Sequence, residues 1–270
     1  AMRVACTFSP MAFDDPVVLP NQPGRSHLHT FFGNTGVTAN STADSIANSG
    51  NSTCLGGIAN RSAYWIPSVI DTREGRPMLP GETIFIYYKT GYKGVRAEDV
   101  RPFPPGLRMI AGNARATSPP ERYQERFEFW CTDAGHTTAY GNGQSIPTCR
   151  AGDRLNVRLD FPQCWDGQNL DSPDHQSHLT YADNGCPSSH PIPFVEISFQ
   201  MFWRVPSNAD TSTWRLSSDM ADTSIPAGYS MHGDWFNGWQ ADIVSTWVRD
   251  CINARRDCGV GDLGDGRHLY

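Results

Sequence analysis

Histidines are concentrated in a few short segments of the chain, and their spacing is suited to shared chemistry. His27 and His29 form an H-x-H pair, whose imidazoles lie on one face, about 7 Å apart, if the segment is extended. Two imidazoles so placed can converge on one metal ion, or one can transfer protons while the other orients a substrate. In the alternative interpretation both rings only form hydrogen bonds to loops.

Residues 164–178 form a second segment, rich in both carboxylates and imidazoles. It contains Asp166, Asp171, Asp174, His175 and His178, together with Trp165. The aspartates can serve as general acids or bases, as calcium ligands, or as groups that orient a histidine. The D-x-D-x-D-G pattern of a calcium loop is absent, and Trp-Asp-Gly and Asp-Ser-Pro are also typical of turns.

A third segment, residues 231–239, places His232 and Asp234 two positions apart and flanks them with Trp235 and Trp239. Indole rings beside carboxylates and imidazoles are typical of a sugar-binding cleft, because pyranose rings stack on aromatic faces. Alternatively, the tryptophans anchor a following helix. Taken together, the three segments favour one shared site over three separate explanations of the same residue bias.

The elements that must position these residues are predicted to be strands. Residues 154–161 and 195–203 alternate apolar and polar side chains, and residues 126–131 are also strand-like. Residues 83–88 carry a run of bulky side chains that predicts burial on both faces. Half-buried strands separated by Pro and Gly turns indicate a mainly β fold, an antiparallel β-sandwich or jelly roll with long loops.

Helix is predicted to be scarce. Residues 239–253 place Ile243, Trp247 and Cys251 on one helical face, with Asn237 as a possible N-cap. A second short helix is expected at residues 42–48. No internal repeat or shift in composition marks a boundary, so we expect residues 1–270 to form a single domain.

The chain has eight cysteines, an even number, and no CxxC motif. This pattern disfavours a zinc site or a redox motif and favours disulfides in an oxidising compartment. Eight cysteines allow 105 connectivities. Pairing of sequence neighbours is our expectation: Cys131–Cys149, Cys164–Cys186, Cys251–Cys258 and Cys6–Cys54. We therefore expect a secreted protein, whose export signal would be absent from the mature chain.

The charge composition disfavours two classes of partner. The net charge is −6, and twenty of the 22 basic residues are arginines, without the basic stripe of a nucleic-acid-binding protein. No run of 18 apolar residues predicts a membrane span. We expect a monomer that binds neither nucleic acid nor membrane.

Several long motifs resemble the DUF1996 family. They are Phe13-Asp-Asp-Pro16, Ser26–Asn34, Cys164–His178, Cys186-Pro-Ser-Ser-His-Pro191 and His232–Trp239. The family's members are secreted by fungi and actinobacteria, sometimes beside carbohydrate-binding or WSC modules. The resemblance covers nearly the whole chain and implies a role on wall or biomass polysaccharide.

The first hypothesis is a secreted glycoside hydrolase that cleaves such a polysaccharide in one cleft, with a polysaccharide lyase as a related alternative. Hydrolysis needs two carboxyl groups flanking the bond, and the candidates are Asp174 and Asp234. The catalytic candidates also include His29, His178 and His232. The residues expected to bind substrate are His27, Asp15, Asp166, His190, Trp165, Trp235 and Trp239.

Two further hypotheses stay open. No cofactor is required by the first hypothesis, but a divalent metal held by His27, His29 and His178 would make the protein a metal-dependent enzyme. A non-catalytic carbohydrate-binding or wall-associated protein is the third hypothesis. It would explain exposed tryptophans but does not require clustered histidines and aspartates.

Overall fold

The computed structural model describes residues 1–119 and 126–270. Its larger sheet has seven strands in the order β10-β9-β11-β15-β7-β1-β18, antiparallel except for the β1–β18 pair. The strands are β1 (Met2–Cys6), β7 (Ile84–Lys89), β9 (Arg126–Thr132), β10 (Ala139–Gly143), β11 (Arg154–Asp160), β15 (Glu196–Arg204) and β18 (Gly259–Val260).

The second sheet has five antiparallel strands in the order β2-β3-β4-β17-β8. They are β2 (Phe8–Ala12), β3 (His29–Gly33), β4 (Ala63–Pro67), β8 (Arg108–Gly112) and β17 (His232–Phe236). The two predicted histidine segments at residues 26–34 and 231–239 thus enter the same sheet, with only β4 between them.

Two small three-stranded sheets flank these layers. One contains β12 (Cys164–Trp165), β13 (Leu179–Thr180) and β14 (Ile192–Pro193), and the other contains β5 (Val69–Asp71), β6 (Arg76–Pro77) and β16 (Trp214–Leu216). The first small sheet holds the carboxylate-rich segment 164–178 as a compact loop closed by a disulfide.

The core lies between the two large sheets. Phe199 of the larger sheet packs against Phe32 and Tyr64 of the smaller one, and Gly233 brings β17 close to Leu159. The prediction of a mainly β fold with few short helices is confirmed, and the packing is that of a sandwich.

Strand periodicity was predicted well at β11, where Leu155, Val157 and Leu159 are buried on one face. The expectation of burial on both faces was wrong for residues 83–88. In β7 the buried Ile84, Ile86 and Tyr88 alternate with half-buried residues, because only one face of this sheet meets its partner.

The smaller sheet is covered on its other face as well. There a second cluster of buried residues gathers around Phe31, Trp65 and Phe236, with Val17 and Ile46 packed onto them from loops and a helix. Because side chains alternate along a strand, His29, His232 and Asp234 share this outer face. The candidate site therefore lies beside this cluster and outside the sandwich core.

Both predicted helices are present. The first, α1 (Ala43–Asn48), begins with a capping box at Thr42. The second, α2 (Ala241–Trp247), continues as a π-helical stretch over Val248–Asn253. Its cap is Gln240, not Asn237; the Asn237 side chain accepts the Trp239 N–H in the preceding turn.

Four disulfides join the sequence neighbours as predicted: Cys6–Cys54, Cys131–Cys149, Cys164–Cys186 and Cys251–Cys258. They fit a protein that resides in an oxidising compartment. Within the described ranges, no helix combines the length and the apolar character that a membrane crossing requires.

Candidate functional site

Three histidines converge on the outer face of the five-stranded sheet. His29 begins β3 opposite Pro67, and His232 begins β17 on the other side of β4. The ring of His27 lies 4.2 Å from that of His29 and 5.0 Å from that of His232, measured between centroids. The His29 and His232 rings are 5.8 Å apart. These three residues are called the histidine triad below.

Backbone carbonyls fix which ring nitrogen carries the hydrogen in two triad members. His29 Nδ1 lies 2.9 Å from the Asp14 carbonyl oxygen, and His232 Nδ1 lies 2.8 Å from that of Ser230. A carbonyl only accepts hydrogen bonds, so each Nδ1 carries a hydrogen and each neutral ring keeps a lone pair on Nε2. Metal-binding histidines in proteins are oriented in the same way.

The ring nitrogens of the triad lie close together, and the His27 Nε2–H can donate to the lone pair on His232 Nε2. Nε2 of His27 lies 3.2 Å from Nε2 of His232. His29 Nε2 is buried and has no hydrogen-bond partner among the described residues. A buried acceptor without a partner is costly, and a metal ion would satisfy all three nitrogens at once.

The triad is held in its neutral form. Burial and the neighbouring His232 lower the pKa of His27 to about 3, and burial lowers the pKa of His232 to about 4. The pKa of the fully buried His29 also lies well below its usual value, because of burial and the other two rings. Neutral imidazoles are the form that binds metals, so the triad is ready to bind even in mildly acidic solution.

Two carboxyl groups lie against the triad and are called the acidic pair. Asp234 is 1% exposed, and neither of its oxygens has a hydrogen-bond partner among the described residues. Burial, followed by the charge of Asp15, raises the pKa of Asp234 well above its usual value. Burial also raises the pKa of Asp15, although its Oδ1 accepts the N–H groups of Val17 and Val18.

His29 lies close both to the other two histidines of the triad and to the acidic pair. Ligand atoms of His27, His29 and His232 lie within 4.8 Å of one another, and so do those of Asp15, His29 and Asp234. Two ligands of one ion, each bonded at about 2.0–2.2 Å, are separated by about 3–4 Å. Either set could hold an ion, and the nitrogen-only set is typical of zinc and other transition metals.

A cleft of about 740 Å³ opens onto both groups, which is within the usual size of a ligand site. Its wall includes Asp15, His27, His232 and Asp234. Other lining residues come from β8 (Ile110 and Gly112), from a short 3-10 helix (Ser217–Ala221) and from the loops at 18–19, 25–26, 113–115 and 173–176. The loop 13–27 is fastened by Asp14, whose carboxylate accepts the N–H groups of Gly24 and Ala39.

The disulfide loop 164–186 contributes less to the site than predicted. Asp174 lines the cleft, but its Oδ1 accepts hydrogen bonds from Ser172, Gln176 and Ser177. These donors lower the pKa of Asp174, so it stays ionised and is poorly suited to donate a proton as a general acid.

The other predicted residues of this region lie outside the cleft wall. His178 is 1% exposed and uses both ring nitrogens, on Ser172 and on the Arg108 carbonyl, so it is not available as the third metal ligand. His232 is the third histidine that lies beside His27 and His29. Asp166 accepts N–H groups of Gln168 and Asn169 in its own turn.

His190 is likewise used locally, by Ser189 and by the Ser177 carbonyl. The prediction that tryptophans stack on a sugar disagrees with the structure. Trp235 is fully buried, and Trp239 is 4% exposed and donates its indole N–H to Tyr88. Trp165 stacks on Phe194. Trp235 and Trp239 thus support the core and the helix, as in the alternative interpretation of their segment.

Sequence reasoning missed two arginines of the cleft wall, Arg25 and Arg115. Both stand in polar turns without a motif, so nothing in their spacing distinguishes them from surface arginines. Asn113 and Gln176, which also line the cleft, carried no signal either. Only their positions in the folded chain bring them to the site.

The fold and the site together define a class: a disulfide-bonded β-sandwich with a cleft that is lined by histidines and aspartates. The model of the family described as a domain of unknown function, DUF1996, matches residues 15–239, and the chain belongs to this family. The matched range contains the complete triad and the acidic pair. No curated protein and no solved structure matches the chain.

Proposed function

We propose that this protein is a metal-dependent hydrolase. One divalent transition-metal ion would be bound by His27, His29 and His232, and the substrate would be an extracellular polysaccharide in the adjoining cleft. The proposal rests on one observation: three neutral imidazoles lie with their ring nitrogens close together. Backbone carbonyls orient two of these rings, and His29 Nε2 is buried without a partner in the described ranges. Three protein ligands with an open position are typical of catalytic zinc.

The acidic pair would accept and donate protons during the reaction. A bound ion of this kind polarises the substrate and makes an attacking water more acidic. Asp234 and Asp15 lie beside His29, and the positive charge of a bound ion would favour ionisation of one of them, which could then take the proton of that water and return it to the departing oxygen. The water oxygen ends on one product and the proton on the other, so the hydrolysis is balanced.

The choice of a glycan rests on the family resemblance, because members of that family sometimes occur beside carbohydrate-binding modules. The cleft volume of about 740 Å³ is compatible with a short run of sugar residues. Disulfides that fit an oxidising compartment agree with a substrate outside the cell.

A second candidate is a metal-free glycoside hydrolase that uses the acidic pair alone. The favouring observation is that Asp15 and Asp234 lie close together and both have raised pKa values. In retaining enzymes the two carboxyl groups are about 5–5.5 Å apart, and one must be protonated to act as the acid. Removal of metal separates the two candidates.

Metal binding is tested on protein made without a histidine tag. We expect elemental analysis to find about one zinc, or a similar ion, per chain, and titration of chelator-treated protein to give one site. His29→Ala and the less buried His27→Ala should each weaken zinc binding about 100-fold or more, because each removes a direct ligand. His136→Ala, an exposed histidine outside the cleft, is the matched control.

Activity is tested by release of reducing ends from a panel of neutral and acidic polysaccharides. We expect chelation to remove activity and zinc to restore it. Full activity in metal-free protein would reject the metal-dependent mechanism and favour the acidic pair. Zinc binding without product from any polysaccharide of the panel would overturn the glycan substrate while leaving the metal site intact.

A further inference from the structure

Arg25 and Arg115 differ from most arginines of this protein. In the described ranges most guanidinium groups form an ion pair, donate to a backbone carbonyl or lie over an aromatic ring, as Arg108, Arg215 and Arg154 do. Only Arg25, Arg101 and Arg115 have no such side-chain partner among the residues that the structure describes. Two of these three line the cleft.

The backbone at both cleft arginines is held by hydrogen bonds. The Arg25 N–H donates to the Gln22 carbonyl, and the next residue, Ser26, donates to the Phe13 carbonyl. The same loop is fastened through Gly24 to the Asp14 carboxylate. Arg25 therefore projects from a defined turn, two residues before His27 of the triad.

The backbone at Arg115 is held by a separate set of hydrogen bonds. Its N–H donates to the Asn113 side chain, and the Asn113 N–H donates to the Met231 carbonyl beside His232. Gly112 makes this close approach possible: its φ is +78°, and a Cβ there would lie 2.1 Å from the Met231 oxygen. The turn that carries Arg115 is thus attached to Met231, directly before the strand that carries His232.

The remaining charged groups of the cleft leave these cations without a partner. Asp174 directs its Oδ1 to the three residues that donate to it, and His175 pairs with Asp171. The acidic pair is buried, and Asp15 Oδ1 already accepts the N–H groups of Val17 and Val18. Among the residues that the structure describes, the cleft lining contains arginines but no Trp, Tyr or Phe.

We infer that Arg25 and Arg115 form an anion subsite, which binds the carboxylate or sulfate groups of an acidic polysaccharide. A guanidinium group presents two parallel N–H donors that match the oxygens of either anion. The inference deepens the proposed function by naming its substrate class, and it rests on that function for the reaction; the binding itself needs only the two arginines.

The test measures binding of the full chain to three soluble polymers: a polyuronate, a sulfated glucan and the matching unsulfated glucan. We expect the unsulfated polymer to bind at least about 10-fold more weakly than the better acidic one, since charge-assisted hydrogen bonds are lost. Preference for the polyuronate identifies a carboxylate subsite, and preference for the sulfated glucan a sulfate subsite. Equal binding of all three polymers would overturn the inference.

Charge-removing variants locate the binding. R25Q and R115Q should each weaken binding of the preferred acidic polymer about 10-fold. R101Q removes the third unpartnered arginine, which does not line the cleft, and should leave binding unchanged. If R101Q weakens binding as much as R25Q and R115Q do, the attraction belongs to the general surface and the subsite is refuted.

Zinc-loaded and chelator-treated protein are compared in the same assay, which separates this inference from the proposed function. Arginine-dependent binding in a chain that takes up no metal would support the subsite and reject the metal-dependent reaction. Stoichiometric zinc on the triad with no dependence on Arg25 or Arg115 would refute the subsite and leave the metal site standing.

Discussion

The outer face of the five-stranded sheet at β3 and β17 and the disulfide loop 164–186 contain the same kinds of side chain, but they differ in hydrogen bonding. In the loop, His178 uses both ring nitrogens and Asp166 accepts several N–H groups. On the outer face of the sheet, His29 Nε2 and both Asp234 oxygens are buried without a partner in the described ranges. Satisfied groups stabilise a loop, whereas unsatisfied buried groups indicate a ligand.

This difference teaches how to rank histidines and aspartates in a chain of this kind. Residue type and proximity in sequence were equal in the two regions, and both lie within the family's matched range. What separates them is whether the polar atoms face their own backbone or one another. Substitutions in each region therefore test whether unpartnered polar atoms mark the binding site.

The largest effect is expected at Asp234. In metal-free protein its raised pKa keeps the folded carboxyl protonated above about pH 4, where the unfolded carboxyl ionises, so the folded state holds the extra proton. The free energy of unfolding should then fall as pH rises toward that raised pKa, by about 1.4 kcal/mol per pH unit for one proton. In Asp234→Asn this decrease should be absent.

Urea unfolding at several pH values measures the effect as the difference between wild type and Asp234→Asn. The triad's own contribution is opposite in sign: its lowered pKa values make stability rise with pH between about 4 and 6.5. That contribution is common to both proteins and cancels in the difference. Parallel curves for the two proteins would show that Asp234 is ionised in the folded state.

A smaller effect is expected for His178→Ala, and it should show that this histidine stabilises the fold without binding metal. Loss of this buried ring leaves the Arg108 carbonyl without a partner and removes the hydrogen bond to Ser172. We expect a cost of about 2–3 kcal/mol in the free energy of unfolding, with zinc affinity unchanged. Denaturant titration and zinc titration of the same sample give both values; a large loss of zinc affinity would put His178 in the metal site.

The smallest effect is expected for Asp166→Ala. This aspartate is half-buried and stabilises only its own turn, through Gln168 and Asn169. Its removal should cost about 1 kcal/mol or less and lower Tm by about 2–4 °C, without a change in zinc or polysaccharide binding. Thermal melts with and without ligand are sufficient. A loss of polysaccharide binding would return the loop to the list of substrate-binding elements.

Much of the fold could be predicted from the sequence, because the relevant signals are local. The alternation in residues 154–161, the helical face around Ile243 and the short helix at residues 42–48 each depend on neighbours along the chain. Pairing of sequence neighbours also predicted all four disulfides. The error at β7 arose because a run of bulky residues does not reveal which face is covered.

The candidate site could be predicted only in part. His27, His29, His232, Asp15 and Asp234 were named from their motifs, and the structure brings them together. The sequence could not show that His178 and Asp166 would be satisfied within their own loop. Nor could it show that Trp235 would be buried or that Arg115 would reach the cleft, because burial and long-range approach are properties of the tertiary structure.

The position of β17 in the smaller sheet has a further consequence. This strand pairs with β4 on one side and β8 on the other, so the backbone that carries His232 and Asp234 is held before any ion arrives. Zinc fingers fold only with their metal, but here sheets and disulfides supply that order. Metal loading would then follow folding, and the surroundings of the finished protein would decide which ion it carries.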